Sequence, residues 1–397
     1  MPSEIKSLPR CRAASRHLSV PGVSGCVNAK PRILLLSGYD AASHKRWREQ
    51  LTDLLGDYHW RTLALPPRFF RWRIRGNPVT WLHEPALQER WDLIVATSMV
   101  DLASIRGFHP HLANTPCVLY MHENQFAFPV SSKQRSSAEP QMVNLYSAIA
   151  ADRVVFNSAW NRDSFHDGAR DFLDQMPDGV PNGLIAGLRD KSDIIPVPIE
   201  DRLFAERREP VNWRCPHLLW NHRWEYDKGP DRLLRFLQVV DQRAMPFRLS
   251  VVGERFRNAP KAFEQIQAQF SDRIEHWGFL EQRQDYDRLL GQADIVLSTA
   301  LHDFQGLSML EAMASGCVPL TPDRLAYREY VPDTCRYDSH PDDPGAEAEA
   351  AADALQRLCR YPPVNGSPEP WRASRLAVQY QSLLNGLIEN GRRSGNQ

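Results

Sequence analysis

At 397 residues the chain is longer than one ordinary core needs, and it suits two domains of conventional size. Lysines plus arginines number 48, as do aspartates plus glutamates, so no global field favours nucleic acid or membrane, and a polyanionic partner has to be held by a local patch. With 42% hydrophobic and 24% charged residues, and no apolar run long enough to span a bilayer, the composition points to a soluble globular protein.

Residues 1–29 carry Arg10, Arg12 and Arg16 among serines, glycines and prolines, without hydrophobic periodicity, and read as a disordered extension. The cysteines (11, 26, 117, 215, 317, 335 and 359) are odd in number, scattered and never in a C-x-x-C pair. That argues against a disulfide framework and against a zinc site, and favours a reducing, cytoplasmic setting.

The first strand is predicted at Ile33–Leu36, followed by a helix from Ser43 to Leu55 with Trp47, Leu51, Leu54 and Leu55 on one face. Further strands are expected at Leu93–Ala96, Val118–Met121, Val154–Phe156 and Ile194–Val197. The pattern then restarts. Strands at His217–Trp220, Arg248–Gly253, Ile274–Trp277, Ile295–Ser298 and Cys317–Leu320 alternate with helices at Asp231–Asp241, Phe263–Phe270, Tyr286–Gln292 and Ser308–Ala314. Short apolar strands alternating with helices imply parallel sheets covered on both faces, hence an α/β protein of two Rossmann-like domains facing across a crevice. The expected divisions are an N-terminal domain over 30–205, a C-terminal domain over 206–370, and a last helix over 371–390 returning toward the first domain. Ligands of such folds bind beyond the carboxyl ends of the strands, so chemistry is sought in the loops that follow them.

Two C-terminal loops meet that condition. In the first, Arg223 and Lys228 stand in an Arg-x4-Lys arrangement before Gly229 and Pro230 open a helix. A forked guanidinium and a point-charge ammonium on one loop suit a diphosphate, although Arg223 paired with Glu225 or Asp227 is the plainer alternative. In the second, Asp303 precedes Gly306, Leu307 and Ser308, where a helix begins, and Glu311 lies in its first turn. Free N–H groups at that helix start suit a phosphate, and Glu311 is placed to accept from a ribose diol. Asp285 and Asp287 make an Asp-x-Asp pattern, but at a helix start, where acids are favourable without any metal.

Arg-x4-Lys followed by acidic-x7-Glu resembles the nucleotide-sugar site of retaining GT-B glycosyltransferases of the glycogen-synthase-like group. The resemblance implies that Asp303 contacts the donor sugar and Glu311 the ribose, while Arg223 and Lys228 hold the diphosphate. Gly253, Glu254, Gly278 and Phe279 then fall where that group contacts the nucleotide. The first acidic position there is usually Glu; Asp303 is one methylene shorter.

The N-terminal half narrows the likeness. Met121-His122-Glu123-Asn124-Gln125 follows a buried strand, and alone His122 could be satisfied locally by Glu123. Ser43-His44-Lys45, the Arg68–Arg75 segment, the His122–Gln125 run, Phe156-Asn157-Ser158 and His222-Arg223-Trp224-Glu225 occur together in this order. That set is similar to the tRNA-queuosine mannosyltransferase family, a branch of the GT-B enzymes. The likeness implies GDP-mannose as donor, no cofactor, and the cyclopentenediol of queuosine in tRNA as acceptor. It also implies a catalytic role for His122 with Asp303, Arg223 and Lys228, and acceptor contacts from Ser43, His44, Glu123, Asn124 and Gln125. Arg68, Arg71, Trp72, Arg73 and Arg75 combine cations with aromatics, a chemistry that grips phosphates and stacks on bases of single-stranded loops. A solvated basic loop with buried aromatics is the competing description of this segment. Ala41 and Ala42 replace an expected glycine pair, and the polar segment 131–140 suits a lid or a connector.

The expected reaction is metal-independent transfer with retention at the anomeric carbon, driven by stabilising the leaving phosphate and orienting the acceptor hydroxyl. Two alternatives stay open at this level: a GT-B enzyme acting on a lipid, polysaccharide or small molecule, and a catalytically weak tRNA-binding protein with the same fold.

Overall fold

The computed structural model describes residues 30–128, 138–204, 210–255, 259–363 and 366–394. The N-terminal extension, including Cys11 and Cys26, and residues 131–137 of the polar segment lie outside the described residues. Pro31–Gln397 holds together as one compact unit.

The first half carries strands β1 (Arg32–Ser37), β2 (His59–Ala64), β3 (Leu93–Thr97), β4 (Cys117–Met121), β5 (Arg153–Phe156) and β6 (Ser192–Ile194). Between them run helices α1 (Ala42–Leu54), α2 (Phe70–Thr80), α3 (Leu102–Phe108), α4 (Glu139–Ala150), α5 (Ala159–Asp174) and α6 (Leu184–Asp190). The second half has β7 (His217–Trp220), β8 (Arg248–Val252), β9 (Ile274–Gly278), β10 (Ile295–Leu297), β11 (Val318–Pro322) and β12 (Arg336–Tyr337). Its helices are α7 (Pro230–Gln242), α8 (Ala262–Gln269), α9 (Arg283–Gln292), α10 (Leu307–Ala314) and α11 (Pro344–Arg360), and α12 (Ala373–Ser394) ends the chain.

Both sheets are six-stranded and parallel, in the orders β2-β1-β3-β4-β5-β6 and β12-β11-β10-β7-β8-β9. The α/β class with two Rossmann-like sheets therefore stands. Strands β3, β4, β7 and β10 are buried along their whole length, and β1 from Ile33 onward, as the continuous apolar runs require. Two strands differ from expectation for physical reasons. β2, absent from the predicted set, is an edge strand whose residues are largely exposed, so His59-Trp60-Arg61-Thr62 shows no apolar run. β6 ends at Ile194 rather than Val197 because Pro196 has no N–H to continue the ladder.

Strand order reverses between β1 and β3 in the first sheet and between β7 and β10 in the second. The loops after β7 and β10 therefore open at a topological switch point, where a parallel sheet leaves room for a ligand. Helix α12 lies against the first sheet. Its Tyr380 hydroxyl accepts from the Trp47 indole at 3.0 Å and donates to the Tyr120 hydroxyl at 3.0 Å, and Leu376, Leu384 and Ile388 are buried in the same cluster.

Candidate active site

The loops after β7 and β10 bring the second half's expected site residues into one neighbourhood. The Lys228 ammonium is buried. It donates to the His302 carbonyl at 2.7 Å and stands 3.3 Å from Asp227 and 3.7 Å from Asp303. Asp303 accepts from the Gly306 N–H at 3.0 Å and from the Tyr327 hydroxyl at 3.3 Å. Burial would raise the Asp303 pKa, but Lys228 foremost, with His222 and His302, holds it below the ordinary aspartate value. Gly306 caps α10 at φ 77, and an added Cβ there would lie 2.2 Å from the Tyr330 hydroxyl, so only glycine lets this loop close on the tyrosine.

Arg223 is half exposed and pairs with Glu225 at 3.0 Å, the plainer partner that the sequence allowed. Burial raises the Glu225 pKa despite that arginine. A diphosphate would thus take Arg223 from a carboxylate whose charge burial already disfavours.

Glu311 lies one turn into α10, past the first turn in which the sequence placed it because the helix begins at Leu307, and is almost fully covered. Its carboxylate is 2.5 Å from Arg46 of α1 and 2.7 Å from Arg283 of α9, and it accepts from the Tyr286 hydroxyl at 3.3 Å. Burial alone would raise its pKa; Arg46 and Arg283 outweigh that and keep the group ionised. Asn221 orients Tyr286, donating to its hydroxyl and to the Ser308 carbonyl, both at 3.0 Å. These groups border a cavity of about 350 Å³ lined by His222, Arg223, Gly253, Glu254, Phe279 and Glu311. Phe279, just past Gly278 at the end of β9, is exposed at its edge, and Leu307 packs between the two halves' cores.

In the first half, His122 follows β4 and is buried. Its ring centroid lies 4.3 Å from that of His44, 4.7 Å from Trp47 and 4.7 Å from Tyr120, and its Nε2 has no hydrogen-bond partner. Burial, with His44 adding to it, pushes the His122 pKa well down, so the imidazole is neutral. His44 Nδ1 donates to the Tyr39 carbonyl at 2.7 Å, while Ser43 beside it is exposed. Ala41, ahead of α1, has φ −62 and ψ 163, open to any residue, so the missing glycines cause no strain.

The rest of the His122–Gln125 run divides. Asn124 spends its amide inside the protein, donating to Asn161 and Ser164 and accepting from the N–H groups of Phe126 and Ala127. It shapes the loop. Gln125 is anchored through its backbone N–H to Asn144, and Glu123 is half-buried.

Arg68–Arg75 is not a loop: a helix starts at Phe70, and the burial is the reverse of the basic-loop description. Phe69 and Trp72 are 72% and 55% exposed, whereas Arg73 is buried and Arg75 is held 2.6 Å from buried Asp101. Helical spacing turns Arg73 and Ile74 inward and leaves Arg71 and Trp72 outside. The aromatic and cationic groups still share a surface, with the Arg68 guanidinium 5.7 Å from the Phe69 ring centroid.

Polar contacts tie the halves together around these residues. Gln305 pairs with the Val197 backbone through both amide atoms at 2.9 Å. Ser158 donates to the Phe304 carbonyl at 2.5 Å. Glu329 accepts from the Ala159 and Trp160 N–H groups at the start of α5, and Arg46 reaches Glu311.

Comparison with known proteins accords with this geometry. A profile described as tRNA-queuosine alpha-mannosyltransferase N-terminal matches residues 32–199, and one described as glycosyl transferases group 1 matches residues 216–360. The tRNA-queuosine alpha-mannosyltransferase of Drosophila melanogaster is 31% identical over 375 residues, 90% of this chain and 97% of that protein. The chain belongs to the tRNA-queuosine alpha-mannosyltransferase family.

Among solved structures, sucrose-phosphate synthase from Thermosynechococcus elongatus superposes with a TM-score of 0.66 at 16% identity, over 91% of this chain and all of that one. An alpha,alpha-trehalose-phosphate synthase from Burkholderia vietnamiensis gives 0.65 at 13% identity over 91% of this chain and all of that one, and Anabaena HepE in complex with UDP gives 0.58 at 14% over 90% and all. These likenesses show the GT-B fold, while the family and the group 1 profile make this chain a glycosyltransferase. Among the described residues no helix is long and apolar enough to cross a membrane.

Several residues around the cavity escaped the sequence. Arg46 and Arg283 reach Glu311 from distant helices, and no local spacing announces either. Tyr286 stood inside the Asp-x-Asp pattern but turns toward Glu311. Its flanking acids are committed elsewhere: Asp285 to Arg288 at 2.8 Å, and Asp287 to Arg283 at 3.0 Å and to Arg202. Tyr327 and Tyr330, beside Asp303 and Gly306, lie beyond the motif that flagged those two.

Proposed function

We propose that this protein transfers mannose from GDP-mannose to the cyclopentenediol of queuosine in tRNA, with retention at the anomeric carbon and without a metal. The observation that carries the donor half is the convergence of Lys228, Asp303, the start of α10 and Glu311 on the switch point of the second sheet. The acceptor half rests on the family and on the setting of His122 and His44 at the end of β4.

In this reading Lys228 and Arg223 take the charge that builds on the leaving diphosphate, assisted by free N–H groups at the start of α10. Glu311 accepts from the ribose, and Asp303 is held ionised to accept from hydroxyls of the sugar. Neutral His122, its Nε2 unpaired, supplies a hydrogen bond to donor sugar or acceptor without adding charge. The exposed Arg68, Arg71 and Trp72 meet the anticodon loop. A cytoplasmic location follows from such a tRNA substrate.

The test is incubation of the full chain with GDP-mannose and queuosine-containing tRNA, followed by nucleoside mass spectrometry. A hexose added to queuosine is the expected result. Donor hydrolysis with no product on tRNA would redirect the acceptor to another class, and failure to bind or cleave any nucleotide sugar would overturn the reading as a whole.

A further inference from the structure

His222, on the cavity wall, has no task in the reading above. It follows β7 by two residues, its side chain is buried, and its Nε2 meets no hydrogen-bond partner. Leaving a buried polar atom unpaired is costly, so its persistence asks for a partner that the free protein lacks.

We infer that His222 donates a hydrogen bond from Nε2 to the diphosphate of the nucleotide-sugar donor, as an additional binding group between Arg223 and the start of α10. This rests on the reading of the cavity as the donor site.

The position of the ring is fixed from three sides. Gly253, at φ 152, lets the loop after β8 close on the His222 backbone: a Cβ at Gly253 would lie 1.9 Å from the His222 carbonyl oxygen. Trp220 meets the imidazole edge-on, with centroids 5.0 Å apart. Nδ1 lies 3.4 Å from the Ser308 hydroxyl in the first turn of α10, the helix start expected to face a phosphate. With that hydroxyl donating to Nδ1, the ring proton sits on Nε2, so the unpaired atom is an N–H.

The charged groups around the ring are Asp303, Lys228, Asp227 and Arg223. Burial foremost, with Lys228 and Arg223 adding to it and the two aspartates opposing, lowers the His222 pKa to about 4. The imidazole is therefore neutral at ordinary pH. It contributes direction rather than charge, where Lys228 supplies charge and Arg223 a mobile fork. A histidine that merely filled space would gain nothing from an N–H at this place.

The experiment is titration of the full-length chain with GDP and with guanosine, by calorimetry and ligand-observed NMR, for the unaltered protein and for His222→Ala and His222→Gln. The glutamine amide can present an N–H at about the position of Nε2. His222→Ala is expected to weaken GDP binding by about 10- to 100-fold and to leave guanosine binding within about twofold, with His222→Gln recovering most of the loss. Equal loss for both ligands, unchanged GDP binding in His222→Ala, or a glutamine variant as weak as the alanine variant would overturn the assignment. If the unaltered chain binds neither GDP nor UDP, the donor-site reading fails first.

Discussion

Arg46, on the first helix of the first half, lies 2.5 Å from the carboxylate of Glu311, one turn into α10 in the second half. The two residues stand on helices of different halves, and the contact joins them at the point where a donor ribose is expected. Arg46 also reaches Glu200, at 3.5 Å, in the segment that leaves the first sheet.

A nearly buried carboxylate facing two guanidinia should couple measurably to each of them. In a double-mutant cycle of Arg46→Met and Glu311→Gln, read by chemical denaturation, the expected coupling is about 1–3 kcal/mol. A coupling near zero would mean that Arg283 alone neutralises Glu311 and that Arg46 contributes nothing to joining the halves.

Lys228 and Arg223 should separate in their effects. Lys228 is buried and fixed by the His302 carbonyl, Asp227 and Asp303, whereas Arg223 is half exposed and held by Glu225. Lys228→Ala is expected to lower turnover by about 100-fold or more, since it also leaves Asp303 without its main counter-charge. Arg223→Ala should cost less, and Glu225→Gln should leave activity near its starting level. Steady-state rates with saturating donor decide; near-normal turnover in Lys228→Ala would remove it from the site.

What the sequence revealed follows the same division. Apolar strands such as Leu93–Thr97 and Ile295–Leu297 stand out because parallel strands buried on both faces leave uninterrupted hydrophobic runs. The loops that follow them carry Arg223, Lys228, Asp303 and Glu311 at short fixed spacings, and those could be read locally. Arg46 against Glu311, or Gln305 against Val197, joins residues far apart in the chain, and nothing near either partner marks the other. The Arg68–Arg75 segment misled in a different way. Alternation of arginine with aromatics left a base- and phosphate-binding surface and a basic loop with buried aromatics both open, yet helical geometry sorts the same residues by position, burying Arg73 and exposing Trp72. β2 left no trace because an edge strand has little to bury.

Metal removal should not abolish activity. The Asp-x-Asp carboxylates are already in ion pairs with Arg288, Arg283 and Arg202, while the cations expected to face the diphosphate come from the protein. Turnover in excess chelator is expected within about twofold of the untreated rate, given that fixed cations can supply the charge stabilisation. Complete loss, restored by Mn2+ or Mg2+, would contradict this.

Acid should destabilise the protein before its carboxylates protonate. His217, His222 and His302 are each pushed down to about 4, chiefly by burial. An unfolded histidine binds a proton near pH 6.5, whereas these do so only near pH 4. The unfolded chain therefore takes up more protons across that window, and stability falls as pH drops from 6.5 toward 4. The expected loss between pH 7 and pH 5 is about 1–2 kcal/mol for each such histidine. Denaturant titrations at the two pH values check it, and His217→Gln should make the dependence shallower. An unfolding free energy equal at pH 7 and pH 5 would show that these rings are not neutral in the folded state.

The surface formed by Arg68, Phe69, Arg71 and Trp72 gives the sharpest test of the acceptor. Arg73 is buried and Arg75 pairs with Asp101, so changing either disturbs the fold, whereas Arg71 and Trp72 lie outside it. If this face meets an anticodon loop, Trp72→Ala should remove a stacking platform worth about 1–3 kcal/mol, or roughly 5- to 150-fold in tRNA affinity. Arg71→Ala should weaken binding more modestly and reduce its salt dependence, because a phosphate contact releases counterions. Neither change should alter GDP binding, since the face lies on the first half and the cavity on the second. Filter binding of tRNA at several salt concentrations, beside calorimetry with GDP, separates the outcomes. Unchanged tRNA affinity in both variants would move the acceptor contact elsewhere, and a parallel loss of GDP binding would point to damage of the fold instead.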